Sequence, residues 1–255
     1  MIDAPPPPHA AITPVSPAFT KAVVTPRHAF FGARPVALRL RFSSPGGAAD
    51  LRVEIRRRPG GALGKRWVIK AATPPGPLRL RWNGRAPSGR AARDGRYVVS
   101  GGPDGGLMKR LGILTLHGHV YPVRGPHGFR GGVGLFGAGR NGGRTHEGFD
   151  ILSACGTPVV AARAGVVTRR YYDPVLYGNN VIVRGAGQRR EYWYSHLRTP
   201  GRVRVGQRVS TGRRLGEVGQ TGNARTTPCH LHFEMRGAGG PFDPLPSLRV
   251  WDAYS

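Results

Sequence analysis

The sequence predicts an all-β protein of two units, a β-sandwich followed by a second antiparallel sheet with a tight β-roll. Three observations lead there. Helical periodicity is nearly absent along the 255 residues. Short runs alternate apolar and polar residues, the period of a half-buried strand. The 40 glycines and 24 prolines, close to a low-complexity level, fall between those runs as turns. Apolar residues make up 39%, below average yet enough for a core. No run approaches the ~18 apolar residues of a membrane-spanning helix, so no transmembrane segment is expected.

Residues 1–18 include four consecutive prolines, Pro5 to Pro8, and read as a disordered lead-in. No basic stretch followed by an apolar stretch marks a signal peptide. From 19 to 102, segments such as Val36–Phe42 and Leu51–Ile55 put apolar residues on one face and Arg or Glu on the other. Turn signals recur about every ten residues, which suggests the sandwich. Residues 103–116 are expected to be a linker and 248–255 a tail. Between them, 117–247 again reads as strands, with the Gly-cornered segments Val205–Val209 and Leu215–Val218 suggesting the roll. Biotinyl and lipoyl carriers share that look but need an acceptor lysine, and no lysine follows Lys109.

Charge is extreme, with 39 basic against 13 acidic residues and a net +26. Lys21, Lys65, Lys70 and Lys109 are lysines; the remaining basic residues are arginines. Such a surface attracts polyanions. A GC-rich genome, which enriches Arg, Ala, Gly and Pro together, explains the same composition. Both halves are basic, and no basic stripe with interleaved aromatics marks a specific nucleic-acid module.

The nine histidines are the most informative feature. His146 and Asp150 stand four apart, on one face of a strand and nearly so on a helix, so both can reach one metal ion. In Cys229-His230-Leu231-His232-Phe233-Glu234, the two histidines share a strand face opposite Leu231 and Phe233. Two imidazoles on an otherwise apolar strand need partners, and metal ligation is one solution beside ordinary hydrogen bonding. His196 follows the aromatic run Tyr192-Trp193-Tyr194, a setting common to structural histidines. His117 and His119, with His127 nearby, repeat the His-x-His spacing, but Gly118 and Val120-Tyr121-Pro122-Val123 suggest a linker entering a strand.

In order, His-x-x-x-Asp, aromatic-Ser-His-Leu and His-Leu-His-Phe-Glu resemble the lysostaphin-type (LytM) zinc metallopeptidases that cleave peptide bonds in bacterial peptidoglycan. The resemblance covers roughly residues 117–245 and includes Cys155-Gly-Thr-Pro-Val159 and Tyr177-Gly-Asn-Asn-Val181. It implies one zinc per chain held by His146, Asp150 and His232, with His196 and His230 as catalytic histidines. Three protein ligands leave a fourth position open for water, as catalytic zinc sites require. Trp82-Asn-Gly-Arg85 followed by Asp94-Gly-Arg-Tyr97 resembles the closing strands of bacterial Ig-like domains of the flagellar hook-capping type.

If Asp150 and His232 hold one ion, Cys155 and Cys229 come near each other, which makes a disulfide plausible. Two buried thiols, or Cys229 acting as a nucleophile beside His230, are the alternatives. The expectation is therefore a zinc endopeptidase of the cell envelope or exterior, monomeric, acting on peptidoglycan peptides and drawn to a polyanionic wall. A non-hydrolytic wall-binding or hydrolase-activating scaffold of the same family is the alternative.

Overall fold

The computed structural model describes residues 16–255. Residues 1–15 of the expected lead-in lie outside the described residues, and Ala18 already opens the first strand. The N-terminal unit holds β1 (Ala18–Thr25), β2 (His28–Phe30), β3 (Val36–Ser43), β4 (Ala49–Arg58), β5 (Leu63–Ala72), β6 (Leu78–Trp82), β7 (Gly95–Pro103) and β8 (Lys109–His117). They form two sheets, β1-β3-β6 and β2-β8-β7-β4-β5, antiparallel except where β2 runs parallel to β8. Leu38 and Leu40 on β3 alternate with exposed Arg39 and Arg41. They meet Val53, Ile55, Tyr97 and Leu114 of the other sheet in one core, which makes the unit a sandwich.

The expected linker at 103–116 is corrected here. β7 runs through Pro103, and β8 pairs with it antiparallel, so 104–108 is the turn of a hairpin. The glycines of that turn read as a linker in sequence, yet Leu114 and Leu116 are buried in the sandwich core. The chain leaves the sandwich at Gly118. A Cβ there would stand 2.5 Å from Asp94 Oδ1 and 2.8 Å from Arg163 Nη1, so any larger residue would have to push both side-chain ends aside.

The C-terminal unit holds β9 (His127–Phe129), β10 (Phe149–Ser153), β11 (Pro158–Val160), β12 (Gly165–Asp173), β13 (Gly178–Gly185), β14 (Glu191–Leu197), β15 (Arg208–Val209), β16 (Arg214–Glu217), β17 (His230–Gly237) and β18 (Gly240–Phe242). One antiparallel sheet runs β15-β12-β13-β14-β17-β10-β9, with β18 on the far end of β17. β11 and β16 pair separately. The core gathers Phe149, Ile151, Val181, Val183, Tyr194 and Phe233.

The expected tail at 248–255 is also corrected. Helix α1 (Leu245–Asp252) buries Leu248 and Trp251 in that core, and Ser255 Oγ accepts from the Tyr121 amide at 2.8 Å. The two units meet along a packed seam. Thr211 Oγ1 donates to the Phe31 carbonyl. Arg163 lies over the Phe31 ring at 4.6 Å and donates to the Gly118 carbonyl at 3.0 Å. His117 stacks between His28 and Tyr254 at the seam, while His119 lies flat on Trp251 inside the C-terminal unit, so this His-x-His pair serves packing. Among the described residues no helix is long and apolar enough to cross a membrane.

Candidate metal centre

Strand alternation builds the site. On β17, Leu231, Phe233 and Met235 enter the core, while His230, His232 and Glu234 share the opposite face. Asp150 stands opposite His232 in the β10–β17 pairing, its neighbours Phe149 and Ile151 pointing into the core. His146 arrives from the loop before β10, its amide donating to the Ala138 carbonyl at 2.8 Å. That loop passes close over β17 because residue 148 is glycine. A Cβ there would lie 2.7 Å from the Phe233 carbonyl oxygen and 2.8 Å from His232 Cε1.

Three acceptor atoms converge. His146 Nε2 lies 2.8 Å from His232 Nδ1, and Asp150 Oδ1 lies 3.1 Å from each. The hydrogen bonds on the far sides of the rings assign the tautomers. His146 Nδ1–H donates to the Leu135 carbonyl at 2.8 Å, and His232 Nε2–H donates to Glu234 Oε1 at 2.8 Å. Each ring therefore turns a lone pair toward the carboxylate. Buried lone pairs this close repel one another unless a cation lies among them. Two imidazole nitrogens and one carboxylate oxygen, with their outer hydrogen bonds satisfied, form a donor set suited to catalytic zinc.

A proton can stand where a cation would: with His232 protonated at both nitrogens, its Nδ1–H donates to Asp150, and the ionisation of the group reflects that form. Burial alone would raise the Asp150 carboxyl, but the His146 and His232 rings against it hold it well below the usual carboxylate range. Burial works to lower His232, and the hydrogen bonds to Asp150 and Glu234 outweigh it, raising the ring to about 9. Glu234 is fully buried and also accepts from Arg236 Nε at 2.6 Å.

The structure brings His196 and His230 to the same place. Their ring centroids are 4.9 Å apart, and His196 lies 5.7 Å from His232. All five residues are at most 6% exposed. His196 Nδ1–H donates to the Thr221 carbonyl at 2.8 Å and His230 Nδ1–H to the Pro228 carbonyl at 2.9 Å, leaving both Nε2 atoms as acceptors. Burial, with the neighbouring His232 and His230, pushes His196 down to about 3. Burial likewise lowers His230. His196 sits at φ +60°, a left-handed backbone that costs a non-glycine residue about 1–3 kcal/mol. Its amide donation to the Tyr177 carbonyl at 2.8 Å and a bulge in the β13–β14 pairing hold it there.

Cys155 and Cys229 are joined as a disulfide, with Cα atoms 5.4 Å apart. The bond ties the turn after β10 to the residue before His230 and leaves neither sulfur free as a nucleophile. The five residues open onto a cleft of about 590 Å³ walled by Arg130, Arg144 and Tyr177 among others. Sequence reasoning missed Glu234, although the His-x-His alternation carried two residues further puts it on the ligand face. It also missed the carbonyls of Leu135, Thr221 and Pro228, for which no side-chain signal exists.

Residues 144–244 match the family model described as Peptidase family M23. The segment is similar to that family. Its match spans His146, Asp150, His196, His230 and His232. The L-Ala–D-Glu endopeptidase of Bacillus subtilis is 32% identical over 160 residues, which are 58% of this chain and 48% of that one. The glycyl-glycine endopeptidase of Staphylococcus capitis is 36% identical over 123 residues, covering 46% and 33%. The solved catalytic domain of the antimicrobial peptidase lysostaphin from Staphylococcus simulans shares 31% identity, covering 49% of this chain and 92% of that one at a TM-score of 0.41. The chain thus spans a third to a half of these two curated relatives.

Proposed function

We propose that this protein is a zinc-dependent endopeptidase that hydrolyses peptide bonds in bacterial peptidoglycan. The observation that carries the reading is the convergence of His146 Nε2, Asp150 Oδ1 and His232 Nδ1 beside two neutral imidazoles in one M23 cleft. The substrate follows from relatives named as L-Ala–D-Glu and glycyl-glycine endopeptidases. In this reading His146, Asp150 and His232 hold the zinc. When bound, zinc supplies a Lewis acid and lowers the pKa of its water to ~7.

The chain's own residues supply the proton traffic. His230 and His196 are neutral at pH 7 because burial lowers both. Their Nδ1–H groups are fixed on carbonyls, so each can take and return a proton only at Nε2. His230, two residues from a ligand, accepts the proton of the attacking water and returns one to the leaving amine. His196, facing the same cleft, holds the developing oxyanion after its Nε2 takes a proton from solvent, an uptake that the oxyanion's own negative charge favours and that is reversed when the oxyanion collapses.

The N-terminal unit, in this reading, is an Ig-like module that docks the enzyme in the cell envelope. Its support is local. Trp82 Nε1 donates to the Arg85 carbonyl at 2.7 Å, and Tyr97 OH donates to the Arg93 carbonyl at 2.6 Å, the kind of corner Ig-like sandwiches use. The test of the whole reading is digestion of purified sacculi of several wall types by zinc-loaded protein, with product masses measured. New peptide termini are expected in at least one wall. Intact peptides in every wall would overturn the reading.

A further inference from the structure

A second concave site lies away from the metal centre, and no residue of its lining also lines the catalytic cleft. It is a groove of about 650 Å³ in the seam between the two units. One wall is the sandwich loop around the Arg85–Ala91 bridge, which brings Arg85 and Arg90. The other is the β13–β14 turn with the edge of the sheet, which brings Arg184, Arg189 and Arg208. The walls nearly touch at their tips, where a Cβ on Gly187 would stand 3.5 Å from Ala91 Cβ. The groove therefore exists only because both units are packed together.

Five of its eleven lining residues are arginines, and none is acidic. None of the five has a carboxylate within salt-bridge distance among the described residues, whereas eight arginines elsewhere do. Arg208 and Arg184 stand opposite Val166 from either side, so three adjacent strands carry a cation, an apolar residue and a cation in one row. Like charges arranged this way repel in the free protein, and an anion in the groove relieves that repulsion. Arg85 is held over the Phe31 ring at 5.5 Å with Nη1 on the Gly89 carbonyl at 2.6 Å, so part of the array is fixed in advance.

The remaining lining residues are glycines, Val166, Ala186 and Gln188. No aromatic side chain offers a platform on which a base could stack, as single-stranded nucleic acids require. A slender polyanion without rings fits instead, and guanidinium forks suit phosphate oxygens. We infer that this seam groove binds a phosphodiester-linked anionic polymer of the bacterial wall. The choice of the wall as its source rests on the proposed peptidase activity; the anion site itself does not.

The experiment uses the full chain and measures equilibrium binding of poly(glycerol phosphate) at low and high salt. The comparison is the triple variant Arg184→Gln, Arg189→Gln, Arg208→Gln against a control of equal net charge, Arg39→Gln, Arg41→Gln, Arg81→Gln. The control arginines are exposed on the β1-β3-β6 sheet. The groove variant should bind about tenfold more weakly at low salt or worse, and the control less than about twofold, from ~0.2–1 kcal/mol per exposed contact. The opposite wall, Arg85→Gln with Arg90→Gln, provides a second variant in case the first unfolds, and should also lose binding. Equal losses in groove and control variants would overturn the site in favour of diffuse charge. Tighter binding of single-stranded DNA or polygalacturonate than of poly(glycerol phosphate) would overturn the ligand. Hydrolysis of a small soluble peptide should be unchanged in all variants. If that hydrolysis is absent in the wild type while groove binding persists, the peptidase reading fails and the anion site stands.

Discussion

Glu234 is the residue whose replacement tests most sharply how the metal centre is organised. It is fully buried, and as a carboxylate 2.8 Å from His232 Nε2 it can only accept from the ring. Its charge fixes the His232 tautomer so that Nδ1 faces Asp150 and His146, and it makes the ring a stronger donor. Glu234→Gln keeps the shape and an acceptor oxygen but removes the charge. Arg236 keeps Glu147 and Tyr177 as partners, so the variant does not strand a buried cation. Replacing a charged hydrogen bond (~1.5–3 kcal/mol) by a neutral one (~0.5–1.5) costs about 1.5 kcal/mol. Added to looser ring orientation, this predicts zinc binding weaker by about 10–100-fold. Competition against a zinc chelator of known affinity, on folded protein with unchanged circular dichroism, gives the number. Wild-type zinc affinity in Glu234→Gln would refute the reasoning, because His232 would then need no anion behind it.

Further expectations follow from the same geometry. Replacing His196 or His230 by Ala should lower turnover on a susceptible wall substrate by ~10²–10⁴-fold while zinc content stays near wild type; unchanged rates in both variants would remove them from the mechanism. His119 is lowered to about 3 by burial, with Arg163 and Arg190 adding to it. A histidine held neutral in the fold but free to protonate when unfolded contributes stability above pH ~6.5 that is lost as pH falls toward 3, up to about 3 kcal/mol at pH 4.5. Melting temperatures at pH 7 and 4.5 should therefore fall less in His119→Gln than in wild type; an equal fall would reassign the acid sensitivity. Reduction of Cys155–Cys229, which closes a 74-residue separation, should destabilise by about 4 kcal/mol in the loop-entropy picture. An unchanged melting temperature after complete reduction would contradict that.

The strands of both units were legible because alternation reports burial directly, as in β3, where Leu38 and Leu40 alternate with Arg39 and Arg41. β8 was not, because the Gly105-Gly106 turn before it carries the same composition as a linker. Only Leu114 and Leu116 meeting the sandwich core distinguish the two. α1 was not legible either, since eight residues opening on a proline-rich run give too little helical period. In the site, residues that act through side chains on a strand face could be read from spacing. The carbonyls of Leu135, Thr221 and Pro228 that fix three ring orientations could not, because any residue type supplies a carbonyl. The seam groove was equally invisible, since its arginines come from residues 85 to 208 and meet only through packing.

The central claim is that one zinc, held by His146, Asp150 and His232, switches on peptide-bond hydrolysis. The most direct measurement is a titration of zinc into metal-stripped protein while release of peptides from purified sacculi is followed. The account predicts negligible release at zero zinc, a linear rise, and a break at one zinc per chain. Metal-stripped protein that hydrolyses at the full rate, or a double variant Asp150→Ala, His232→Ala that still breaks at one zinc per chain, would contradict it.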